Sequence, residues 1–161
     1  YHQRFNVERK MLNLQNVNLK MAIDAKKIDK KLSGLKWITY GTLEPSEEIE
    51  LIKESLRIIG DDKQEIMFLT HYNFFSTILE KTLYSPSRWP TDLVSNPDKQ
   101  NKFYKNYVSF TKNLILKKNI KSIYISLPSS QIEISDLVPE NCTVKTKKNK
   151  ILLHFQIINN C

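Results

Sequence analysis

Three consecutive polar residues, His71, Tyr72 and Asn73, could carry chemistry because of their place in the chain. They follow the apolar run 66–70 and precede the amphipathic segment 74–79, a pattern typical of a buried parallel strand that enters a helix. Ligands of open α/β sheets bind just beyond the carboxyl ends of such strands. His71 could act as a general base or contact a ligand, and Tyr72 could stack on one. Asn73 is the better candidate for the N-cap of the helix, and structural roles for His71 and Tyr72 stay open.

A second group of candidates, Ser87, Arg88 and Trp89, lies in a predicted loop over residues 84–99. A guanidinium recognises carboxylate or phosphate in a planar fork, and an indole face can pack on a sugar ring. The alternative is that Trp89 anchors the loop in the core while Arg88 pairs with a carboxylate such as Asp92. Long loops in compact domains are usually functional or flexible. We therefore take both groups as ligand-binding candidates, with no catalytic residue assigned.

Several nucleotide and hydrolase motifs are missing from the sequence. Gly34, Gly41 and Gly60 are the three glycines of the chain, so neither a P-loop nor a G-x-G-x-x-G fingerprint is present. There is no G-x-S-x-G nucleophile elbow. The histidines lie far apart and lack metal-ligand spacing with the cysteines. We expect no metal site and no cofactor.

The formal net charge of +8 comes almost entirely from lysines that recur along the chain. A basic interaction module is one interpretation, and an ordinary solvated surface is the other. No nucleic-acid-binding motif or arginine cluster accompanies the charge, so we expect no nucleic-acid partner. The sequence holds no apolar run of membrane-spanning length and no signal peptide. Because it begins at Tyr1, we expect it to be a segment of a longer or processed protein.

The two cysteines, Cys142 and Cys161, could form a disulfide bond or remain unrelated thiols. A bridge would close a loop of about 20 residues and would require an oxidising compartment.

The alternation of strands and helices predicts an α/β fold, a Rossmann-like three-layer sandwich. Its mostly parallel sheet would have four or five strands, with an antiparallel edge at the C-terminus. We expect an irregular lead-in over residues 1–20 and a single domain over 21–161. Predicted strands cover residues 35–40, 66–70, 122–127, 143–146 and 151–158. Predicted helices begin near Asp24, near Pro45 with an ion pair between Glu54 and Arg57, over 74–83, near Phe103 and over 131–138.

The helix near Phe103 has one apolar face that we expect to be buried. Its predicted members are Phe103, Tyr104, Tyr107, Val108, Thr111, Leu114 and Ile115.

Read together, several segments resemble a soluble C-terminal domain of polytopic inner-membrane proteins from AT-rich marine bacteria. The segments are Ile23-Asp24-Ala25, the run from Asp29 to Thr39, Thr70-His71-Tyr72 before a Phe-rich helix, and Ser85-Pro86-Ser87-Arg88-Trp89. Those membrane proteins resemble the glycosyltransferase-C superfamily, which uses lipid-phosphate-linked sugar donors. The resemblance covers roughly residues 19–161.

The resemblance implies a cellular location for this domain but assigns it no catalytic residue, because the acidic catalytic residue of such enzymes is expected in the membrane portion. It implies a membrane-attached, periplasmic domain that packs on the membrane portion of the same polypeptide or binds a glycan or lipid-linked sugar. It also favours pairing of Cys142 with Cys161. One alternative is an independent transferase or hydrolase with His71 as base and Ser87 or Asp92 as its partner. The other is the basic interaction module.

Overall fold

A computed structural model describes residues 20, 22–37, 44–70, 72–87, 97–126 and 133–158. The chain divides into two compact units, Tyr1–Glu54 and Ser55–Cys161. The predicted lead-in over residues 1–20 lies outside the described part except for Lys20. The single domain over 21–161 stays a prediction.

The first unit contains a small two-stranded sheet. Strand β1 (Ile23–Asp24) pairs antiparallel with β2 (Lys36–Trp37), and two 3-10 turns lie between them, Ala25–Lys27 and Lys30–Leu32. Of the predicted strand 35–40, Lys36–Trp37 is confirmed, and residues 38–40 lie outside the described part.

The predicted helix after Asp24 is wrong, because two aspartates divide it into separate turns. The Asp24 carboxylate accepts a hydrogen bond from the Lys26 amide at 3.0 Å, and the Asp29 carboxylate accepts one from the Lys31 amide at 2.8 Å. Asp29 is extended, with φ −158° and ψ 150°, so the chain cannot continue as one helix.

The long helix near Pro45 is confirmed as α1 (Pro45–Asp61), with Glu47 and Glu48 in its first turn. The Trp37 indole N–H donates to Glu48 Oε2 at 3.0 Å and ties β2 to this helix. Gly60, predicted to end α1, stays helical, and a Cβ there would lie 3.2 Å from Leu79 Cδ2. Glycine is thus the residue that allows this close approach.

The structure shows an ion pair in the last turn of α1. Arg57 lies 3.7 Å from the carboxylate of Asp61, four residues on, and the predicted pair of Arg57 with Glu54 stays a prediction. Both side chains are mostly exposed, so the pair contributes little to stability.

The second unit is built on a five-stranded mixed sheet, in the order β4-β3-β5-β7-β6. Its strands are β3 (Ile66–Leu69), β4 (Leu83–Tyr84), β5 (Ser122–Ser126), β6 (Thr143–Lys147) and β7 (Leu152–Ile157). Strands β4, β3 and β5 are mutually parallel, whereas β7 runs antiparallel to β5 and to β6. The α/β class and the antiparallel C-terminal edge are therefore confirmed.

Helix α2 (Phe75–Leu79) is shorter than the predicted helix over 74–83. Glu80 takes a left-handed conformation with φ 51°, and the Lys81 amide bonds back to the Ser76 carbonyl at 3.3 Å. The Lys81 ammonium donates to the carbonyl oxygens of Ile59 and Asp62. These bonds stop the helix early and leave room for the short strand β4, which the sequence pattern did not predict.

Helix α3 (Tyr104–Lys117) confirms the helix predicted near Phe103, and Asn119 stops it two residues after its last turn. Asn119 has φ 49°, and the Ile120 amide donates to the Ile115 carbonyl at 3.0 Å, which closes the helix end. Thr111 and Ile115 are buried on its inner face. The predicted burial of Phe103 is wrong, because its side chain is 57% exposed.

One face of the sheet forms a continuous apolar core with α3 and the short helix α4 (Ile134–Leu137), which lies within the predicted 131–138 segment. Its sheet members include Met67, Leu69, Ile123 and Ile125, all at most 5% exposed. Among the described residues, no helix has both the length and the apolar character needed to cross a membrane.

Candidate functional site

The carboxyl ends of β3 and β5 meet at two hydroxyl side chains. The chain leaves β3 through α2 toward β4 on one side, and it later returns through α3 to β5 on the other side. Adjacent strands whose connections leave in opposite directions form the switch point where α/β sheets bind ligands. Here Thr70 Oγ1 and Ser126 Oγ share a short hydrogen bond, and the Tyr72 amide donates to Thr70 Oγ1 at 2.9 Å.

A small cavity of about 50 Å³ opens beside this pair. A space of this size holds one or two waters and cannot enclose a sugar ring. Its lining is aromatic and uncharged, and its polar groups are hydroxyls and one amide. The lining residues are Phe68, Thr70, Tyr72, Asn73, Phe75, Ser76, Leu83 and Ser85.

Tyr72, a predicted stacking residue, lines the cavity but is only 7% exposed. Its ring lies 6.1 Å from that of Phe75 in a nearly parallel arrangement and 5.8 Å from that of Phe74. Most of the Tyr72 ring surface is therefore used in packing, and a ligand could reach only its edge.

Asn73 is exposed and lies on the cavity wall. The predicted N-cap position is wrong, because α2 begins at Phe75 and the capping position is Phe74. We therefore treat Asn73 as part of the cavity wall and not as the N-cap of α2.

Ser87 lies three residues after β4, at the end of the described range 72–87. The Ser85 hydroxyl donates to the Ser87 carbonyl at 2.7 Å. The Ser87 side chain is hydrogen-bonded to Tyr107 of α3, while burial raises the pKa of Tyr107 to about 12. Ser87 is therefore joined to α3, and Ser85 is the serine of this loop that lines the cavity.

The remaining candidates, His71, Arg88 and Trp89, lie outside the described residues, as does Asp92. Their roles stay predictions. His71 follows Thr70 directly in the chain, and Arg88 follows Ser87, so both are covalently next to residues of this edge.

A second polar group, which sequence reasoning missed, lies buried between β5 and β7. The Tyr124 hydroxyl donates to Asp62 Oδ2 at 2.9 Å, and the Tyr124 ring stacks on His154 with centroids 4.4 Å apart. His154 Nε2 is 3.3 Å from Ser122 Oγ, and Ser122 is also hydrogen-bonded to Asp62. Gln156 donates to the Lys121 carbonyl at 3.0 Å and extends the group along β7.

Burial and these contacts shift the pKa values within the group. Burial lowers the pKa of His154, and the charge of Lys148 lowers it further, against the opposite effect of Asp62. Burial raises the pKa of Tyr124, and its bond to Asp62 adds to this. For Asp62, burial raises the pKa, but hydrogen bonds from Gln64, Ser122 and Tyr124 outweigh it and hold the pKa below its ordinary value.

This group contains the three residue types of a hydrolytic triad, Ser122, His154 and Asp62, but they are not arranged for catalysis. Ser122 is fully buried, so no substrate can reach its hydroxyl. Asp62 accepts from Ser122 and Tyr124 instead of orienting the His154 ring, which a triad requires. We assign this group to the stability of the sheet. The sequence feature that could reveal this polar group is the alternation of serine and tyrosine with isoleucine in residues 122–126.

A larger groove of about 280 Å³ lies at the opposite end of β5 from the predicted site. It is bounded by the last turns of α3 and by α4, and it also reaches Ile157 at the end of β7. Its lining is mainly aliphatic, with two lysines, Lys112 and Lys121.

Cys142 is 7% exposed and disulfide-bonded. Cys161 lies outside the described residues, so the pairing of the two cysteines stays a prediction.

Comparisons with known proteins do not assign a family. No family model matches the chain, and neither a curated protein nor a solved structure matches it significantly. Within the described ranges, no group of three or more His, Cys, Asp or Glu side chains is arranged to hold a metal ion.

Proposed function

We propose that this chain is an extracytoplasmic binding domain of a membrane glycosyltransferase-like protein, with no catalytic role of its own. It would bind a glycan or the saccharide of a lipid-linked sugar at the carboxyl edge of the parallel strands. The observation that carries this proposal is the cavity beside Thr70, which lies where the sequence motif predicts a ligand.

The polar groups at this edge match the chemistry of a sugar. The Asn73 amide carries donors and an acceptor, and the Ser76 hydroxyl can be either. The Ser85 hydroxyl donates to the Ser87 carbonyl and would serve a sugar as an acceptor. Sugar hydroxyls both donate and accept hydrogen bonds, so uncharged groups that can do the same suit them. Because the cavity is too small for a sugar ring, recognition would take place on its rim, with water able to bridge sugar and protein. Arg88 and Trp89 would add an anion contact and a stacking surface.

Two further features support the proposal. The parallel order β4-β3-β5, with a helix in each connection, favours a Rossmann-like three-layer arrangement of helices on both sheet faces. The disulfide-bonded state of Cys142 favours an oxidising compartment, as a periplasmic position requires.

Binding can be tested with a panel of bacterial oligosaccharides and polyprenyl-phosphate-linked sugars, followed by NMR titration. We expect a hit to shift the amide signals of Thr70, Tyr72, Asn73 and Ser85. In Asn73→Ala, Arg88→Ala and Trp89→Ala proteins, affinity should fall roughly tenfold or more while the fold is kept.

Gln64→Ala is the matched control, because Gln64 is an exposed amide before β3, at the other end of that strand. It should bind like the unmodified chain. If a ligand shifts only signals near α3, or if Gln64→Ala weakens binding as much as Asn73→Ala, the site is not at the carboxyl edge. If Trp89→Ala unfolds the domain, Trp89 is an anchor, as in the alternative interpretation.

A further inference from the structure

The outer side of α3 exposes large apolar side chains. Phe103 is 57% exposed, Phe110 is 55% exposed and Leu116 is 74% exposed. Phe103 and Phe110 are seven residues apart, which places them on the same side of the helix. Two phenylalanines that remain more than half exposed contribute little to the core, because their hydrophobic surface stays in water.

The chain segment that contains α3 is also locally rich in positive charge. Residues 99–121 contain seven lysines and no Asp or Glu, in a chain whose net charge is +8. One of them, Lys99, is 2.6 Å from Glu133 and 3.4 Å from Asp136, so its charge is balanced. Five others are exposed: Lys102, Lys105, Lys112, Lys117 and Lys118.

The lysines and the aromatic rings are close neighbours. The Lys102 ammonium lies 4.9 Å from the centre of the Phe103 ring. At the other end of α3, Lys117 and Lys118 follow Leu116 directly. Cations and exposed apolar side chains are thus interspersed along this segment, as in helices that lie in the plane of a membrane interface.

We propose that this face of α3 docks the domain onto an anionic lipid bilayer. The lysines would be attracted by the negative surface potential, and Phe103 and Phe110, which share one side of the helix, would enter the headgroup and acyl boundary. A nucleic acid fits this face less well, because its cations are all lysines and it has no arginine fork for phosphate or base edges. The inference is independent of saccharide binding, since the cavity at the sheet edge contributes no residue to this face.

Vesicle co-sedimentation with the 161-residue chain tests this. We expect the chain to bind vesicles of phosphatidylcholine with phosphatidylglycerol, to ignore vesicles of phosphatidylcholine alone, and to be partly released by salt. The Phe103→Ser/Phe110→Gln double variant should lower the partition coefficient roughly tenfold. Serine suits the position before a helix, and glutamine suits a helix interior, so the fold is kept. Lys102→Gln/Lys117→Gln, which removes the cation beside the Phe103 ring and the cation seven residues after Phe110, should lower binding similarly at low salt.

Strand β6 provides a matched control, because Val144 is 53% exposed and Lys145, the next residue in the chain, is also exposed. The Val144→Ser/Lys145→Gln variant should bind vesicles like the unmodified chain. Equal losses in the β6 and α3 variants, equal binding to neutral vesicles, or unchanged binding of the double phenylalanine variant would each overturn the proposal. Salt-sensitive binding to RNA that displaces the vesicles and does not depend on Phe103 or Phe110 would replace it with a nucleic-acid role.

Discussion

The two faces of β5 are equally buried but are stabilised by different interactions. All five residues, Ser122–Ser126, are buried. Ile123 and Ile125 point toward α3 and join the apolar core, whereas Ser122, Tyr124 and Ser126 alternate with them on the other face. One strand therefore separates a purely apolar layer from a layer of hydrogen-bonded polar groups.

The stability of the two layers depends on geometry in different ways. Burial of isoleucine is favourable in any orientation that excludes water. A buried hydroxyl is tolerated only when it has a partner, and each polar side chain of β5 has one: Asp62 and His154 for Ser122, Asp62 for Tyr124, and Thr70 for Ser126. The apolar face should therefore respond to lost volume, and the polar face to lost partners and to pH.

The largest effect is expected on the apolar face. Ile123→Ala removes a side chain that is 0% exposed, and it should lower the free energy of unfolding by about 3 kcal/mol. Urea denaturation measures this. Ile123→Val, which removes one methylene, should cost about 1 kcal/mol. A loss below about 1 kcal/mol in Ile123→Ala would mean that the core under α3 is loosely packed.

A smaller effect is expected when one hydrogen bond of the polar face is removed. Tyr124→Phe deletes the donor to Asp62 and should cost about 1 kcal/mol, without a cavity. A double-mutant cycle with Asp62→Ala should give a coupling of about 0.5–1.5 kcal/mol in urea denaturation. Strict additivity of the two single losses would show that this bond does not stabilise the fold.

The polar face should also make stability depend on pH. The pKa of His154 is lowered below its ordinary value of 6.5, so the unfolded chain binds a proton more readily than the folded one. Stability is then fully present above about pH 6.5 and falls as the pH drops toward the lowered pKa of His154. The loss between pH 7 and about pH 5 should be smaller in His154→Gln. An equal loss in both proteins would place the pH dependence elsewhere.

The smallest effect is expected on side chains that belong to neither layer. Phe110→Gln on α3 and Val144→Ser on β6 replace residues that are more than half exposed, and each should change the free energy of unfolding by less than about 0.5 kcal/mol. Thermal denaturation measures this. A loss above about 1 kcal/mol in Phe110→Gln would give Phe110 a structural role and would remove the reason for assigning it to a docking face.

The sequence pattern predicted well those elements whose signal is local. The helices predicted near Pro45 and near Phe103 are present as α1 and α3. The strands β3, β5 and β7 lie where the apolar runs are, and β6 covers the predicted strand over 143–146. These features depend on neighbours within a few residues, which periodicity and turn residues report.

The candidate site was predicted less well than the elements that support it. Tyr72 and Asn73 do line a cavity at the carboxyl edge, but the pattern did not show that packing on Phe75 uses most of the Tyr72 ring. Nor did it show that the Ser87 side chain is hydrogen-bonded to Tyr107 of α3. The Ser87 contact joins two separate elements. The Tyr72 contact is local, but it forms in the irregular turn before α2, where no helix or strand period predicts which side chains meet.

By itself, the sequence determined the fold class, the main helices and strands and the order in which they follow one another, because apolar periodicity and capping residues act within single elements. Only the tertiary structure decided which polar groups meet. Asp62 and Tyr124 are 62 residues apart, and Ser122 and His154 are 32 apart. It also decided that Phe103 faces solvent and that Glu80 ends α2. The physical reason is that burial and hydrogen-bond partners are supplied by distant elements, which no local pattern encodes.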